Sequence, residues 1–501
     1  MYSEVSNSVR TVIIIVFSLY SLILVAVGIF ARSQMNKSTV DRYVEEFYTG
    51  GRGMGSLVVA LMVAAGLCSA GTFLGCPGLA YSVGLASALV LFAQSFMNFH
   101  VLGQIGKKIG IIARRINAQS YLDLLVSRYN HNIVIGILGV LAVIGFTGSY
   151  VVGQFVGGAR LFESMTGQPY ILGLVLFAGV VLIITVLGGI KGVAIAVVVQ
   201  GIVMTVAVLA LLIGSLAYIG PLENAYKTLI SIKPALVTPW TWTPMYSLSM
   251  WVVFGVVFIG LPHGVMPTLT YKSTKAMHKA IIIGGIFVVI WTVSLVLIGN
   301  LARTVFPDLK VADQIIPTMA IKVLPSWLAG LTLAGVAGAI QSTVGAMVIV
   351  ISSTFVKDAY QSYINPKASN QTLKKVTIVS TGIICVLIFL AAIKPPQALE
   401  WLIVFAIGGL GSAFFWPFIL GTYWMRANEY GAAAGMVAGI VTYILAAGKF
   451  LPISMGMNAI VVSLLVSGVL TIGVSLCTPK SPKGIIQIWF GKTYPKAIPN
   501  K

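Results

Sequence analysis

Acidic side chains are scarce in this chain. Only 12 of its 501 residues are Asp or Glu, against 32 Lys and Arg. None of the acids falls in the middle of a long apolar run. A proton-driven carrier commonly keeps an ionisable group at such depth, and this chain lacks an obvious one apart from His263. Cysteine is also rare. Cys68, Cys76, Cys385 and Cys477 lie in or at the end of apolar segments, without the spacing of metal ligands. They read as free thiols packed as small apolar groups. A Ser/His/Asp set on one face, a metal cluster and a phosphate-binding loop are all missing, so no enzyme is expected. Charged residues make up 9% of the chain, and no stretch reads as a soluble domain.

What the chain has in quantity is apolar sequence. Hydrophobic residues are 58% of the total and the mean hydropathy is +0.98. That composition belongs to all-α polytopic membrane proteins. A span needs ~20 apolar residues, and on that measure the sequence predicts about thirteen spans. They cover 11–31, 56–81, 84–104, 133–162, 170–188, 190–219, 248–268, 278–302, 318–356, 375–393, 399–425, 431–449 and 457–478. The stretch 318–356 is too long for one straight crossing. It predicts a loop helix near Pro325 and an extension toward Asp358.

An odd number of spans puts the two ends on opposite sides. With the N-terminus outside, the inner loops and the tail collect most of the 32 basic residues, as the positive-inside rule requires. The expectation is a multi-pass plasma-membrane protein with a cytoplasmic C-terminus. The same distribution explains the formal charge of +20 without nucleic acid as a partner.

The span 56–81 contains Gly66, Gly71, Gly75, Pro77 and Gly78. Proline removes a backbone donor, and glycine leaves the backbone loosely specified. In lipid such a break frees carbonyls, and it is tolerated only where protein buries it or where it lines a cavity. A break is expected at 71–78 and a second at 255–267. Discontinuous helices of this kind build ion and substrate sites in secondary transporters. Each break opens a block of five spans, 56–219 and 248–425. Five is odd, so the blocks would be inverted repeats in the LeuT-type five-plus-five arrangement. The remaining divisions are a first helix and loop in 1–55, two peripheral helices in 426–478 and a cytoplasmic tail in 479–501.

A cation site without acids needs neutral oxygens, and Na⁺, a hard cation, accepts them. The first break offers the carbonyls of Ala65 and Cys68. The ninth span offers the carbonyl of Ala339 and the adjacent hydroxyls of Ser342 and Thr343. The competing reading is that Ser342 and Thr343 simply bond carbonyls of their own helix.

Several motifs narrow the choice. Leu74-Gly75-Cys76-Pro77-Gly78-Leu79-Ala80-Tyr81, Gly158-Ala159-Arg160-Leu161-Phe162-Glu163, Gly260-Leu261-Pro262-His263 and Ala339-Ile340-Gln341-Ser342-Thr343 occur in this order. Together they resemble the sodium:solute symporter family across spans two to eleven. The likeness is strongest to its pantothenate-transporting branch, through Ile315-Ile316-Pro317-Thr318, Ile393-Lys394-Pro395-Pro396 and similar stretches. The resemblance implies a sodium site on Ala65, Cys68, Ala339, Ser342 and Thr343. It implies a substrate cavity lined by Ser69, Gly71, Thr72, Tyr150, Phe254 and Phe258. Gln154, one turn beyond Tyr150, could bond a polar substrate or another helix. Phe254 and Phe258 are four apart, which places them on one α-helical face. His263 is read as packing at a helix end.

Three positions depart from the family pattern. Ala196 and Val197 stand where relatives usually carry Thr-Asp, Pro267 where they carry Arg, and Leu67 where many carry Asp. The first change concerns the ion's release route. The implied function is sodium-coupled uptake of a small organic solute by alternating access, pantothenate first; the alternative is a symporter for proline or a short monocarboxylate with weak or no sodium dependence. A channel or a membrane sensor ranks below these, because no filter ring and no signalling module is visible. Na⁺ is the coupling ion, and no other cofactor is expected.

Overall fold

The computed structural model describes residues 6–394, 399–451, 453 and 457–491. Pro395 and Pro396 of the Ile393-Lys394-Pro395-Pro396 stretch, and residues 492–501 of the expected tail, lie outside them. Among the described residues there is no β-strand; one isolated bridge joins Met54 to Tyr271. Ten helices are long and apolar enough to cross a membrane, or up to twelve if each of two bent pairs is one span.

Helices lie over every expected span, but the expected count of about thirteen is not reached by that measure. The difference is the run Tyr170–Ile219, 50 residues covering two expected spans. At 1.5 Å per residue a straight helix of that length would reach about 75 Å, more than twice a ~30 Å hydrocarbon core. It is not straight. Gly189 interrupts it with φ 53° and ψ −148°. A side chain there would adopt a left-handed backbone and meet the Phe47 carbonyl at 2.8 Å.

The two bent pairs are Ser56–Leu67 with Gly71–Val83, at 65°, and Pro244–Gly260 with Pro262–Leu269, at 55°. The first break lies earlier than 71–78. Helix ends at Leu67, Cys68 is extended (φ −86°, ψ 92°), and Gly71–Gly75 already forms a π turn. Pro77 sits where the π turn Gly71–Gly75 passes into the α-helix Cys76–Val83, and its missing N–H leaves one carbonyl of the preceding turn without a backbone donor. The second break falls at Leu261, within the expected interval, just before Pro262.

The expected overlong span resolves as anticipated. A short helix, Ile315–Val323, precedes Pro325; Ser326–Ser353 then continues as a π-helical extension, Thr354–Ile364, that contains Asp358. The apolar window of this long helix is wholly buried. Small residues allow that. Gly335 packs so that a Cβ would lie 2.7 Å from Ala207, and close approach at such residues is how membrane helices associate. The first half of the broken helix packs on Ser326–Ser353, Gly188–Ile219 and Thr274–Ala302. Cys68, Cys76 and Cys385 are buried, whereas Cys477 is exposed rather than packed.

The second half is fixed by one close crossing. A Cβ on Gly299 would lie 2.3 Å from the Pro77 carbonyl. Gly299→Ala is therefore expected to cost about 1–3 kcal/mol through overpacking and to lower the unfolding temperature in detergent. Gly179→Ala, where a Cβ meets nothing within 4 Å, is the matched control. Equal behaviour of the two variants would show that this crossing does not constrain the fold.

Candidate functional site

The first break leaves carbonyls without partners, because the last four C=O groups of any helix lack a following N–H. Ala64 recovers one from the Cys68 N–H at 3.0 Å. Ala65 is served from another helix. Ser342 Oγ lies 2.8 Å and Thr343 Oγ1 3.2 Å from its oxygen. The same two hydroxyls lie 3.0 and 2.9 Å from the Ala339 oxygen. Bonding within the helix and bonding across to the break therefore occur together. Each hydroxyl has one proton, so two protons serve four oxygen contacts. Four neutral oxygens with lone pairs to spare form a cluster that suits a hard cation. Cys68, the fifth expected ligand, is buried at the end of the same helix half. Its carbonyl makes no hydrogen bond to Ser342 or Thr343, so four of the five expected residues are brought together.

The residues beyond the break are held by side chains from neighbouring helices. Tyr150 donates its hydroxyl to Ser69 Oγ at 3.0 Å, and the Gly71 N–H donates to the same oxygen at 3.2 Å. Gln154 Oε1 accepts the Ala70 N–H at 2.9 Å. Its Nε2 has no partner, although the residue is fully buried. Gln154 thus makes the interhelical bond and still presents a free donor. A Cβ on Gly75 would meet nothing within 4 Å, so the backbone here borders open space.

Two residues of this network escaped the sequence reading of the site. Gln94 donates to Thr72 Oγ1 at 2.7 Å. Its signal is an amide inside the expected span 84–104, which carries Ser95 and Asn98 beside it. His263 lies in the first turn of the short helix Pro262–Val265, directly after the second break, and is buried, with its ring 6.0 Å from that of Tyr150 in an edge-on contact. Neither ring nitrogen has a partner. A bare packing role does not account for two orphaned nitrogens.

Phe254 and Phe258 do not share an α-helical face as expected. The chain there is a π turn, Val252–Val256, followed by a 3-10 turn, Val257–Gly260. The spacing of four loses its meaning across that change of pitch. Phe258 is buried and Phe254 half-buried, and neither ring is in aromatic contact with Tyr150 or His263.

Behind Ser342 lies a small cavity of about 10 Å³, walled in part by Ala196, Gln200, Gln341 and Gly345. One water needs roughly 10–15 Å³. Tyr20 donates to Gln341 Oε1 at 3.0 Å, while Gln341 Nε2 and Gln200 Oε1 are buried without partners. The first departure from the family pattern, at Ala196, is therefore on the wall of a chamber next to the oxygen cluster. Among the described residues, no group of three or more His, Cys, Asp or Glu side chains could hold a metal.

The sodium:solute symporter family model matches residues 47–439. This chain belongs to that family. It is 38% identical over 453 residues to the sodium/pantothenate symporter of Escherichia coli (strain K12), covering 89% of this chain and 93% of that protein. It is 40% identical over 418 residues to the sodium/pantothenate symporter of Haemophilus influenzae, covering 82% and 85%. A solved structure described as the substrate-bound outward-open state of a Na⁺-coupled sialic acid symporter superposes with a TM-score of 0.78 at 18% identity. It covers 94% of this chain and 98% of its own, so the fold is shared along nearly the whole length. The architecture is the LeuT-type arrangement of this membrane transporter family.

Gln154→Leu would leave the Ala70 N–H buried without an acceptor. The expected cost is about 1–3 kcal/mol, read as a lower unfolding temperature in detergent. Unchanged unfolding would show that Gln154 does not hold the break.

Proposed function

We propose that this protein takes up pantothenate together with Na⁺ by alternating access. The observation that carries the reading is the cluster of the Ala65 and Ala339 carbonyls with the Ser342 and Thr343 hydroxyls, in a chain 38–40% identical to two sodium/pantothenate symporters. The ion binds where those oxygens converge, with the Cys68 carbonyl as fifth ligand. Its binding ties the first broken helix to Ser326–Ser353 and so favours one of the two access states; coupling requires such differential affinity. The inward gradient supplies the work, with an electrical part of ~2.3 kcal/mol per charge per 100 mV.

Pantothenate is a carboxylate with an amide and two hydroxyls. A site with no acid at membrane depth receives such an anion without like-charge repulsion. Ser69, Gly71, Thr72, Tyr150, Gln154, Phe254 and Phe258 form its cavity in this reading, and His263 joins them. The free Gln154 Nε2 and the two His263 nitrogens supply hydrogen bonds, while the phenyl rings cover the branched apolar end.

The repeats in this reading are 56–219 and 248–425, flanked by 1–55, the peripheral helices in 426–478 and the tail. The N-terminus faces outward and the C-terminus the cytoplasm, as the placement of basic residues supports.

Uptake of radiolabelled pantothenate into proteoliposomes is expected to exceed equilibrium only with an inward Na⁺ gradient. Equal uptake with K⁺ would overturn sodium coupling, and no uptake of pantothenate alongside uptake of proline would overturn the substrate. Ser342→Ala combined with Thr343→Ala is expected to raise the Na⁺ concentration for half-maximal uptake by about tenfold or more, the equivalent of roughly 1.4 kcal/mol. An unchanged Na⁺ requirement would remove both residues from the ion site.

A further inference from the structure

The span Ala86–Arg115 ends in a basic turn that lies against the last described helix, Lys483–Phe490. Between them is a notch of about 220 Å³, walled by Lys108, Ile111, Ile112, Arg115, Trp489 and Phe490. It is far larger than one water's share of about 30 Å³. We infer that this notch binds the phosphate headgroup of an acidic phospholipid at the membrane surface.

The charge around the notch is of one sign. Lys108 donates to the Thr422 carbonyl and lies 4.2 Å from the centre of the Phe490 ring. An ammonium has three N–H donors, so two remain for a ligand. Among the described residues Lys108 makes no ion pair. Arg115 donates to the Ile488 and Gly491 carbonyls at 2.9 and 3.0 Å, which caps the helix and holds a second cation at the notch. A third, the buried Arg128, lies 5.5 Å from the Phe490 ring centre. Its guanidinium bonds the carbonyls of Gly421, Trp424 and Ala427 and the Ser481 hydroxyl. Carbonyl dipoles and ring faces solvate these cations without cancelling their charge.

An independent observation points to a ligand. Trp489 is only 3% exposed, and its indole N–H has no acceptor. That group can only donate, and a buried donor left unpaired is a standing penalty. A phosphate oxygen would satisfy it while neutralising Lys108. The source of the phosphate follows from the walls. Ile111, Ile112 and the two aromatic rings would do nothing for a free phosphate ion, but they suit the glycerol and upper acyl carbons of a lipid. Trp with basic residues at the end of a membrane helix is the usual composition of a headgroup-level surface.

The test titrates the full chain in neutral detergent with dioctanoyl phosphatidylglycerol, dioctanoyl phosphatidylcholine and inorganic phosphate, reading the apparent unfolding temperature. A saturable rise is expected with phosphatidylglycerol alone. Lys108→Gln is expected to weaken half-saturation about tenfold. Trp489→Phe, which keeps a ring and removes the N–H, is expected to weaken it about three- to tenfold and serves even if the lysine variant does not fold. An equal rise with phosphatidylcholine would overturn the charge requirement. An equal rise with inorganic phosphate would overturn the lipid, and wild-type half-saturation in Trp489→Phe would overturn the site.

Discussion

Two hydroxyls share four close oxygen contacts where the broken helix crosses Ser326–Ser353, and the site rests on that crossing. Ser342 and Thr343 each approach both the Ala65 and the Ala339 carbonyl. At any instant some acceptor lone pairs lack a proton. A cation would draw on all four oxygens at once. The broken helix depends on this crossing. Without Ser342 and Thr343 the Ala65 carbonyl would be stranded at the end of Ser56–Leu67, inside protein, with nothing to accept from.

The rest of the fold serves that crossing. The apolar window of the helix Ser326–Ser353 is wholly buried and the helix is rich in Gly, Ala, Ser and Thr, which lets neighbouring helices approach closely enough to fix Ser342 and Thr343. Tyr150, Gln154 and Gln94 then hold the far side of the break through Ser69, Ala70 and Thr72. Every group in this network is uncharged in its ordinary state or, like His263, is buried where charging is costly. The one-water chamber behind Ser342 is likewise neutral, with the amides of Gln200 and Gln341 and the methyl of Ala196 on its walls. In the proposed function the positive charge at this depth comes with the cargo.

Much of this was legible in the residues, for reasons that differ from site to site. Span positions followed from hydropathy, which the bilayer imposes directly. The oxygen cluster was legible because an acid-poor membrane interior restricts a cation to carbonyls and hydroxyls. The location of the first break was misread. Glycine and proline at 71–78 are tolerated inside π and α turns, and the chain parts instead at Cys68, two residues after Gly66 and at the carbonyls expected to be freed. The expected boundary between 170–188 and 190–219 falls on the Gly189 kink, and the count differs only because the chain stays helical through it. Phe254 and Phe258 were paired by an α-helical period that the local π and 3-10 geometry does not follow. Gln94 and His263 were overlooked because a polar residue in an apolar run gains meaning only from what stands opposite.

The central claim is that Na⁺ binds at the crossing of the broken helix and Ser326–Ser353. Amide hydrogen exchange of the purified protein, in Na⁺ and in K⁺ at equal ionic strength, tests it most directly. Slower exchange in Na⁺, confined to 64–75 and 339–346, is the result the structure predicts. Identical exchange in the two salts across both segments would contradict it.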